Sequence, residues 1–166
     1  MREHIKLFES QEQLIHKFCK KYKIKKYEIT PEGVDVYQEV NLYNCGLYEL
    51  PFQFNIVHGY FDCVGNELQS LQNTAHVVLD YFNCSSNKLT SLQFCPKFVQ
   101  GSFYCVGNPI EPWEHRYLLF SEIQGEIKTE TDGLDEFFHK YQNKKALIPQ
   151  ALKELREIQI WWDQNA

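Results

Sequence analysis

The sequence predicts an α/β repeat protein, a short solenoid of about four coils with a helical segment at each end. Three kinds of residue recur at a constant spacing of 21 positions. They are the cysteines Cys63, Cys84 and Cys105, the phenylalanines Phe61, Phe82 and Phe103, and the asparagines Asn66, Asn87 and Asn108. Because these columns stay in register over successive units, we interpret the spacing as a structural repeat.

Each unit matches the leucine-rich-repeat template, L-x-x-L-x-L-x-x-N/C-x-L. The second unit reads Phe61-x-Cys63-x-x-Asn66-x-Leu68-x-x-Leu71. Alternating apolar residues predict a short strand with one face inward. An asparagine at the following turn can bond neighbouring backbone groups and tie one coil to the next. We therefore predict a leucine-rich-repeat solenoid over residues 34–110.

Residues 1–33 predict an N-terminal helix and the start of a capping hairpin. Ser10 and Gln13 have the spacing of a capping box at a helix start. Tyr27–Thr30 and Val34–Val36 flank the turn signal Pro31-Glu32-Gly33. We expect this hairpin to cover the first coil. The lysine cluster at Lys20–Lys26 favours a solvated helix end, which suits the helix dipole, and a nucleic-acid or membrane role is its alternative.

Residues 111–166 predict a helical C-terminal cap. Pro112-Trp113 opens a segment with Tyr117–Phe120 and Ile123 that is expected to be helical, and Asp132 is a candidate N-cap for a helix over residues 134–141. Pro149 suits the first turn of a last helix. Its apolar face would be Leu152, Leu155, Ile158 and Trp162. The pair Trp161-Trp162 favours docking on the last repeat, with a role in binding as the alternative.

The repeats resemble the leucine-rich-repeat proteins of tailed-phage genomes. The resemblance is carried by stretches such as Gly59–Cys63, Asn83–Leu92 and Gly101–Cys105, and covers roughly residues 27–120. It implies a small protein made in an infected bacterium to engage a host factor, and it implies no enzyme activity. The chain departs from the usual regularity at residues 72–76, where a tighter Gly/Pro-type turn is expected.

Composition narrows the possible functions. The 166 residues carry a net charge of −5, which gives no basic excess for a phosphate backbone. No apolar run is long enough to cross a bilayer, so we expect a cytoplasmic protein that binds neither nucleic acid nor membrane. The cysteine column is expected to be a buried ladder rather than a metal or catalytic site. Neither His16 with Cys19 nor Asp135, Glu136 and His139 makes a convincing site, so we predict no catalytic residue, metal or cofactor.

Outward positions of the predicted strands supply the candidate binding face. They are rich in tyrosine and polar residues, a composition typical of protein-binding patches. The candidate partner-binding residues are Tyr43, Tyr60, Asp62, Tyr81, Asn83 and Tyr104. The alternative interpretation is that stacked tyrosines only stabilise the sheet.

The sequence therefore predicts a non-enzymatic protein-binding module. By its resemblance it is phage-encoded, and it would bind or inhibit a host bacterial protein through the concave face. One version of this hypothesis is that the host protein is an antiviral-defence factor. A self-associating structural or virion-associated protein is the alternative, and the sequence sets neither the partner nor the oligomeric state.

Overall fold

The computed structural model describes residues 2–131 and 133–165, with side chains from Ser10 onward. They form a β-solenoid of about five turns of roughly 21 residues, with helices at the C-terminus. The α-helices are α1 (Arg2–Lys21), α2 (Leu134–Tyr141) and α3 (Ile148–Asn165). The strands are β1 (Tyr27–Thr30), β2 (Gly33–Val36), β3 (Val40–Asn41), β4 (Phe54–Val57), β5 (Phe61–Asp62), β6 (Val77–Val78), β7 (Phe82–Asn83), β8 (Phe98–Val99), β9 (Phe103–Tyr104), β10 (Glu122–Ile123) and β11 (Ile127–Lys128).

Each coil contributes one short strand to each of two sheets. The first sheet has the order β1-β2-β4-β6-β8-β10, and the second has the order β3-β5-β7-β9-β11. Neighbouring coils pair in parallel, whereas β1 and β2 form the predicted antiparallel hairpin. In the second sheet Phe61 pairs with Phe82 and Phe82 with Phe103, so the repeat spacing is also the strand register.

The solenoid has a fifth coil that the sequence analysis missed. Strands β10 and β11 pair with β8 and β9, so Ile123 lies beside Val99 and Ile127 beside Phe103. The steps from Val99 to Ile123 and from Phe103 to Ile127 each exceed the repeat spacing of 21 residues by three. This insertion hides the coil from a search at constant period. The helical segment expected after Pro112-Trp113 is a 3₁₀ helix over Pro112–Phe120, and its expected extension to Ile123 is wrong because Ile123 belongs to β10.

The core is a set of ladders running along the solenoid. The rings of Phe61, Phe82 and Phe103 are buried and stack at centroid distances of 5.5 and 5.2 Å. Burying a phenylalanine side chain contributes about 1.5–3 kcal/mol. Because each ring is covered by the rings of neighbouring coils, the column stabilises a coil only when its neighbours are present. The leucine columns behind the strands are equally buried; they include Leu68, Leu71, Leu89 and Leu92.

The predicted asparagine ladder ties the coils together. Asn87 Nδ2 donates to the carbonyl oxygen of Cys63 at 2.9 Å and to that of Cys84 at 3.0 Å. Its Oδ1 accepts the backbone N–H of Leu68 at 3.0 Å. Asn66 and Asn108 make the corresponding bonds, each to backbone groups of the preceding coil. Each amide therefore satisfies backbone groups of two coils that no strand pairing reaches.

The cysteine column is a buried ladder of free thiols. Cys63 and Cys84 donate their S–H groups to the carbonyl oxygens of Asn83 and Tyr104, each at 3.4 Å, and Cys105 donates to Lys128 at 3.5 Å. Burial raises the pKa of all three thiols. Because the reactive form of a cysteine is the thiolate, these side chains act as small core residues.

At the N-terminal end, α1 packs on the first two coils. The Phe18 ring lies 5.1 Å from that of Phe52 and 6.2 Å from that of Phe54, between ring centroids. The helix begins at Arg2, so Ser10 lies inside it and the predicted capping box is wrong. Residues 2–9 contain no proline or glycine that would end a helix before Ser10.

At the C-terminal end, α2 and α3 follow the fifth coil. Gly133 occupies the N-cap position of α2, and the candidate cap Asp132 lies outside the described residues. Pro149 lies in the first turn of α3, as predicted. Gln159 Oε1 accepts the backbone N–H of Trp113 at 2.7 Å, which joins α3 to the 3₁₀ helix. Leu155 is buried and Trp162 half-buried, whereas Trp161 is exposed.

Candidate functional site

The second sheet presents an outward face that carries the six candidate residues. Along β5, Phe61 and Cys63 are fully buried, whereas Tyr60 and Asp62 are half-buried at the surface. The same alternation places the residues of neighbouring coils on one surface. We call this surface the tyrosine face; it comprises Tyr43, Tyr60, Asp62, Tyr81, Asn83 and Tyr104.

Three of the tyrosines form a continuous aromatic row. The rings of Tyr60 and Tyr81 are 4.8 Å apart and almost parallel, with 6° between their planes. Tyr81 then meets Tyr104 edge-on at 6.3 Å and 78°. Burial and the neighbouring Asp62 carboxylate raise the pKa of Tyr81, so its hydroxyl stays protonated and available as a donor. Aromatic pairs of this kind form rigid, half-exposed surfaces.

Tyr43 stands apart from this row. It is 56% exposed and occupies the column that Val64 and Ser85 continue in the next coils. Among the described side chains, its ring makes no contact with the three stacked tyrosines. The structure thus brings Tyr60, Tyr81 and Tyr104 together and leaves Tyr43 at the margin of the face.

The two polar candidates have a structural role that the sequence analysis did not foresee. Asp62 Oδ1 accepts the backbone N–H of Val64 at 3.0 Å, and Asn83 Oδ1 accepts that of Ser85 at 3.1 Å. Asn41 does the same for Tyr43 in the first coil. Asp and Asn commonly bond the backbone two residues on in turns. Their identity is therefore explained by the local turn, and any argument for binding rests on the tyrosines.

Three of the side chains considered as candidate chemical sites, His16, Cys19 and Asp135, are buried or hydrogen-bonded within the fold. His16 Nδ1 lies 2.6 Å from the Tyr27 hydroxyl, and Cys19 is buried, which raises its pKa to about 11. Asp135 Oδ1 accepts from the backbone N–H and the hydroxyl of Thr129, at 3.0 and 3.1 Å. No group of three or more potential metal ligands occurs among the side chains of residues 10–131 and 133–165. None of the described helices is long and apolar enough to cross a membrane.

Two exposed phenylalanines form a second surface feature that sequence reasoning missed. Phe94 is 54% exposed and Phe120 is 63% exposed. They adjoin Cys95 and Ser121, whose side chains meet at 3.4 Å between neighbouring coils. Phe94 also has a positive φ in the left-handed region, which is strained for a bulky residue. Aligning the coils offers a signal for this strained position. Asn73, at the equivalent position one coil earlier, shares the positive φ, and asparagine is a residue type that tolerates it.

Comparisons of the chain with protein-family models, with curated proteins and with solved structures gave no significant match, so its function is inferred from its own residues.

Proposed function

We propose that the protein is a leucine-rich-repeat binding module that has no enzymatic activity and binds another protein through the tyrosine face. One observation carries the proposal: Tyr60, Tyr81 and Tyr104 form a fixed row across three coils while remaining partly exposed. Tyrosine supplies a large amphipathic contact area at low entropic cost. The leucine-rich-repeat assignment is supported by the match of the first three units to the template and by the asparagine ladder.

The size of the face suits a peptide, a helix or the corner of a domain. The face draws its residues from only four of the five coils, and neighbouring strands in a sheet are about 4.8 Å apart. The proposed partner is a host bacterial protein in the cytoplasm of an infected cell, a proposal that rests on the resemblance of residues 27–120 to phage-encoded repeats. Inhibition of an antiviral-defence factor is the version of this function that we favour.

A non-enzymatic function is supported by the state of the nucleophilic side chains. The thiols of the cysteine ladder lie in the core and have raised pKa values.

The test is an affinity capture from host bacterial lysate with the tagged full chain and with the double variant Tyr60→Ala/Tyr81→Ala. A matched control is Tyr48→Ala, because Tyr48 is exposed but lies away from the face. We expect one host protein to be retained by the wild type and by Tyr48→Ala, and to be lost by the double variant. Retention by a double variant that remains folded by circular dichroism would show that the face does not bind it.

Self-association is the second candidate function, and the exposed Phe94 and Phe120 favour it. Phe94 and Phe120 precede Cys95 and Ser121, which meet between neighbouring coils, and exposed apolar patches often mark interaction sites. Light scattering of the purified chain separates the two functions. A monomer at working concentrations argues against self-association, whereas a dimer that Phe94→Ser/Phe120→Ser converts to monomer would support it.

A further inference from the structure

A strongly basic turn lies at one end of the tyrosine face. Residues 17–26 contain six lysines and no acidic residue. Their charge is +6, so the rest of the chain carries −11. Among the described side chains, none of these lysines forms an ion pair with a carboxylate. We call residues 20–26, which contain five of the six lysines, the lysine turn.

The side chain of Gln38 holds the lysine turn against the first coil. Its Oε1 accepts the backbone N–H groups of Lys25 and Lys26 at 2.8 and 3.1 Å, and its Nε2 donates to the Lys23 carbonyl at 3.3 Å. The Tyr37 N–H adds a bond to the Lys26 carbonyl at 2.8 Å. Because the backbone is tied down at several points, a ligand that binds these lysines need not order the turn first.

A surface cavity of about 370 Å³ connects the lysine turn to the tyrosine face. Its lining includes Lys21 and Lys23 of the lysine turn together with Asn41 and Tyr60. Glu39 is the acidic residue among its lining side chains. The cavity therefore opens from two cations directly onto the first ring of the Tyr60–Tyr81 stack.

We infer that the partner contacts this cavity with an acidic segment of a protein, whose carboxylates pair with Lys21 and Lys23 while the adjoining residues lie on the tyrosine face. The inference rests on the proposed function and adds the chemistry and orientation of the partner. Charge complementarity steers a partner and fixes its register. Since the rest of the chain is acidic, the carboxylates lie over the first coil and not over the fifth.

A short acidic peptide segment fits these observations better than a nucleic acid does. A long polyanion that crossed the face would leave the lysine turn and approach a region of net negative charge, which repels it. Tyr60 and Tyr81 stack on each other, so their two facing ring surfaces are not available to nucleic-acid bases. A carboxylate-bearing segment places its charge only where the lysines are.

Fluorescence anisotropy with a labelled octaglutamate peptide tests the inference on the purified full chain. The variant is Lys21→Gln/Lys23→Gln, and the control is Lys144→Gln/Lys145→Gln, which removes the same charge from two exposed lysines beyond the fifth coil. We expect the peptide to bind about tenfold more weakly to the first variant and with unchanged affinity to the control. Circular dichroism establishes that both variants are folded, and Lys21→Ala/Lys23→Ala replaces the first variant if it is not.

Several results would overturn the inference. These are equal weakening in both variants, an absence of octaglutamate binding, and tighter binding of a thymidine oligonucleotide or of phosphatidylserine vesicles than of the peptide. Lysate capture separates this inference from the proposed function. A host protein retained equally by Lys21→Gln/Lys23→Gln and lost by the Tyr60/Tyr81 variant rejects the acidic segment and leaves the tyrosine face standing. Lysine-dependent octaglutamate binding without any captured host protein would support the acidic segment and reject the proposed binding of a host protein.

Discussion

The imidazole Nδ1 of His115, inside the 3₁₀ helix, lies 3.1 Å from the carbonyl oxygen of Glu111, which occupies the N-cap position of that helix. His115 is only 2% exposed and packs beside Phe138 of α2. Burial disfavours the charged imidazolium and lowers the pKa of His115 to about 4, although the backbone carbonyls of Glu111 and Pro112 act in the opposite direction. The neutral ring is therefore part of the packing between the solenoid and the C-terminal helices.

This histidine predicts a loss of stability at mildly acidic pH. The unfolded chain binds a proton at His115 below about pH 6.5, whereas the folded chain binds it only near pH 4. The free energy of unfolding should thus fall by about 2 kcal/mol between about pH 7 and about pH 4.5. Urea unfolding across this range measures the effect.

His115→Gln is the control for this pH effect, because it keeps a side-chain donor and removes the titration. The variant should be less stable at neutral pH and should show a flatter dependence. An equally steep decline in the variant would assign the effect to other groups. The pKa values of Glu114 and Glu154 are lowered, so these carboxylates add to the decline below about pH 5.5 in the wild type and in the variant alike.

A buried hydroxyl at Thr74 predicts a stabilising substitution. Thr74 Oγ1 has no hydrogen-bond partner among the described residues, and the side chain is buried. Thr74→Val should raise the free energy of unfolding by about 1 kcal/mol, because it removes an unsatisfied polar group and keeps the shape. Thr129→Val is the matched control: its hydroxyl bonds Asp135 at 3.1 Å, so the same change should destabilise. Equal effects at both positions would contradict this explanation.

The strained backbone at Phe94 predicts a second stabilising change. Asn73 adopts the same positive φ one coil earlier, so Phe94→Asn should gain about 1 kcal/mol in the free energy of unfolding. Phe120→Asn removes an equally exposed ring without relieving a positive φ, and its stability should change little. If Phe94→Asn were destabilising, the exposed ring would have to make packing contacts that outweigh the strain.

Replacing an asparagine of the ladder should lower the free energy of unfolding by an amount that depends on how deeply its side chain is buried. Asn87→Ala leaves the backbone N–H of Leu68 without a partner in the core and removes one of the two asparagine donors from the carbonyls of Cys63 and Cys84, so it should cost about 2 kcal/mol. Asn108 makes the same three bonds, but it is partly exposed, so Asn108→Ala should cost less. Chemical denaturation of the two variants gives the comparison, and equal costs would show that water does not reach the Asn108 site.

Periodicity revealed the parts of this fold that depend on repetition. The columns of Phe61, Cys63 and Asn66 recur because every coil places these residues in the same environment, so spacing alone predicted inward strands and the asparagine bonds. The same alternation placed Tyr60 and Tyr81 on one outward face. Local chemistry and register were thus readable wherever the period held.

The features that escaped prediction depend on departures from the repeat. The fifth coil follows a three-residue insertion, so it falls outside the repeat spacing. Asp135 of α2 holds this coil by accepting the backbone N–H of Thr129, a contact that no sequence motif indicates. The turn role of Asp62 was hidden because a surface carboxylate suits both a turn and a binding site. The cavity beside Lys21 depends on the hydrogen bonds of Gln38, which join residues more than ten positions apart.

The buried thiols give this solenoid a built-in, position-specific reporter of fraying. Cys63, Cys84 and Cys105 lie in three successive coils, and each is shielded while its own coil remains docked on the next. A thiol-modifying reagent can reach a given cysteine only after that stretch opens. Because the coils interact mainly with their nearest neighbours, the order in which these cysteines become labelled records the end from which the array comes apart, without any introduced probe.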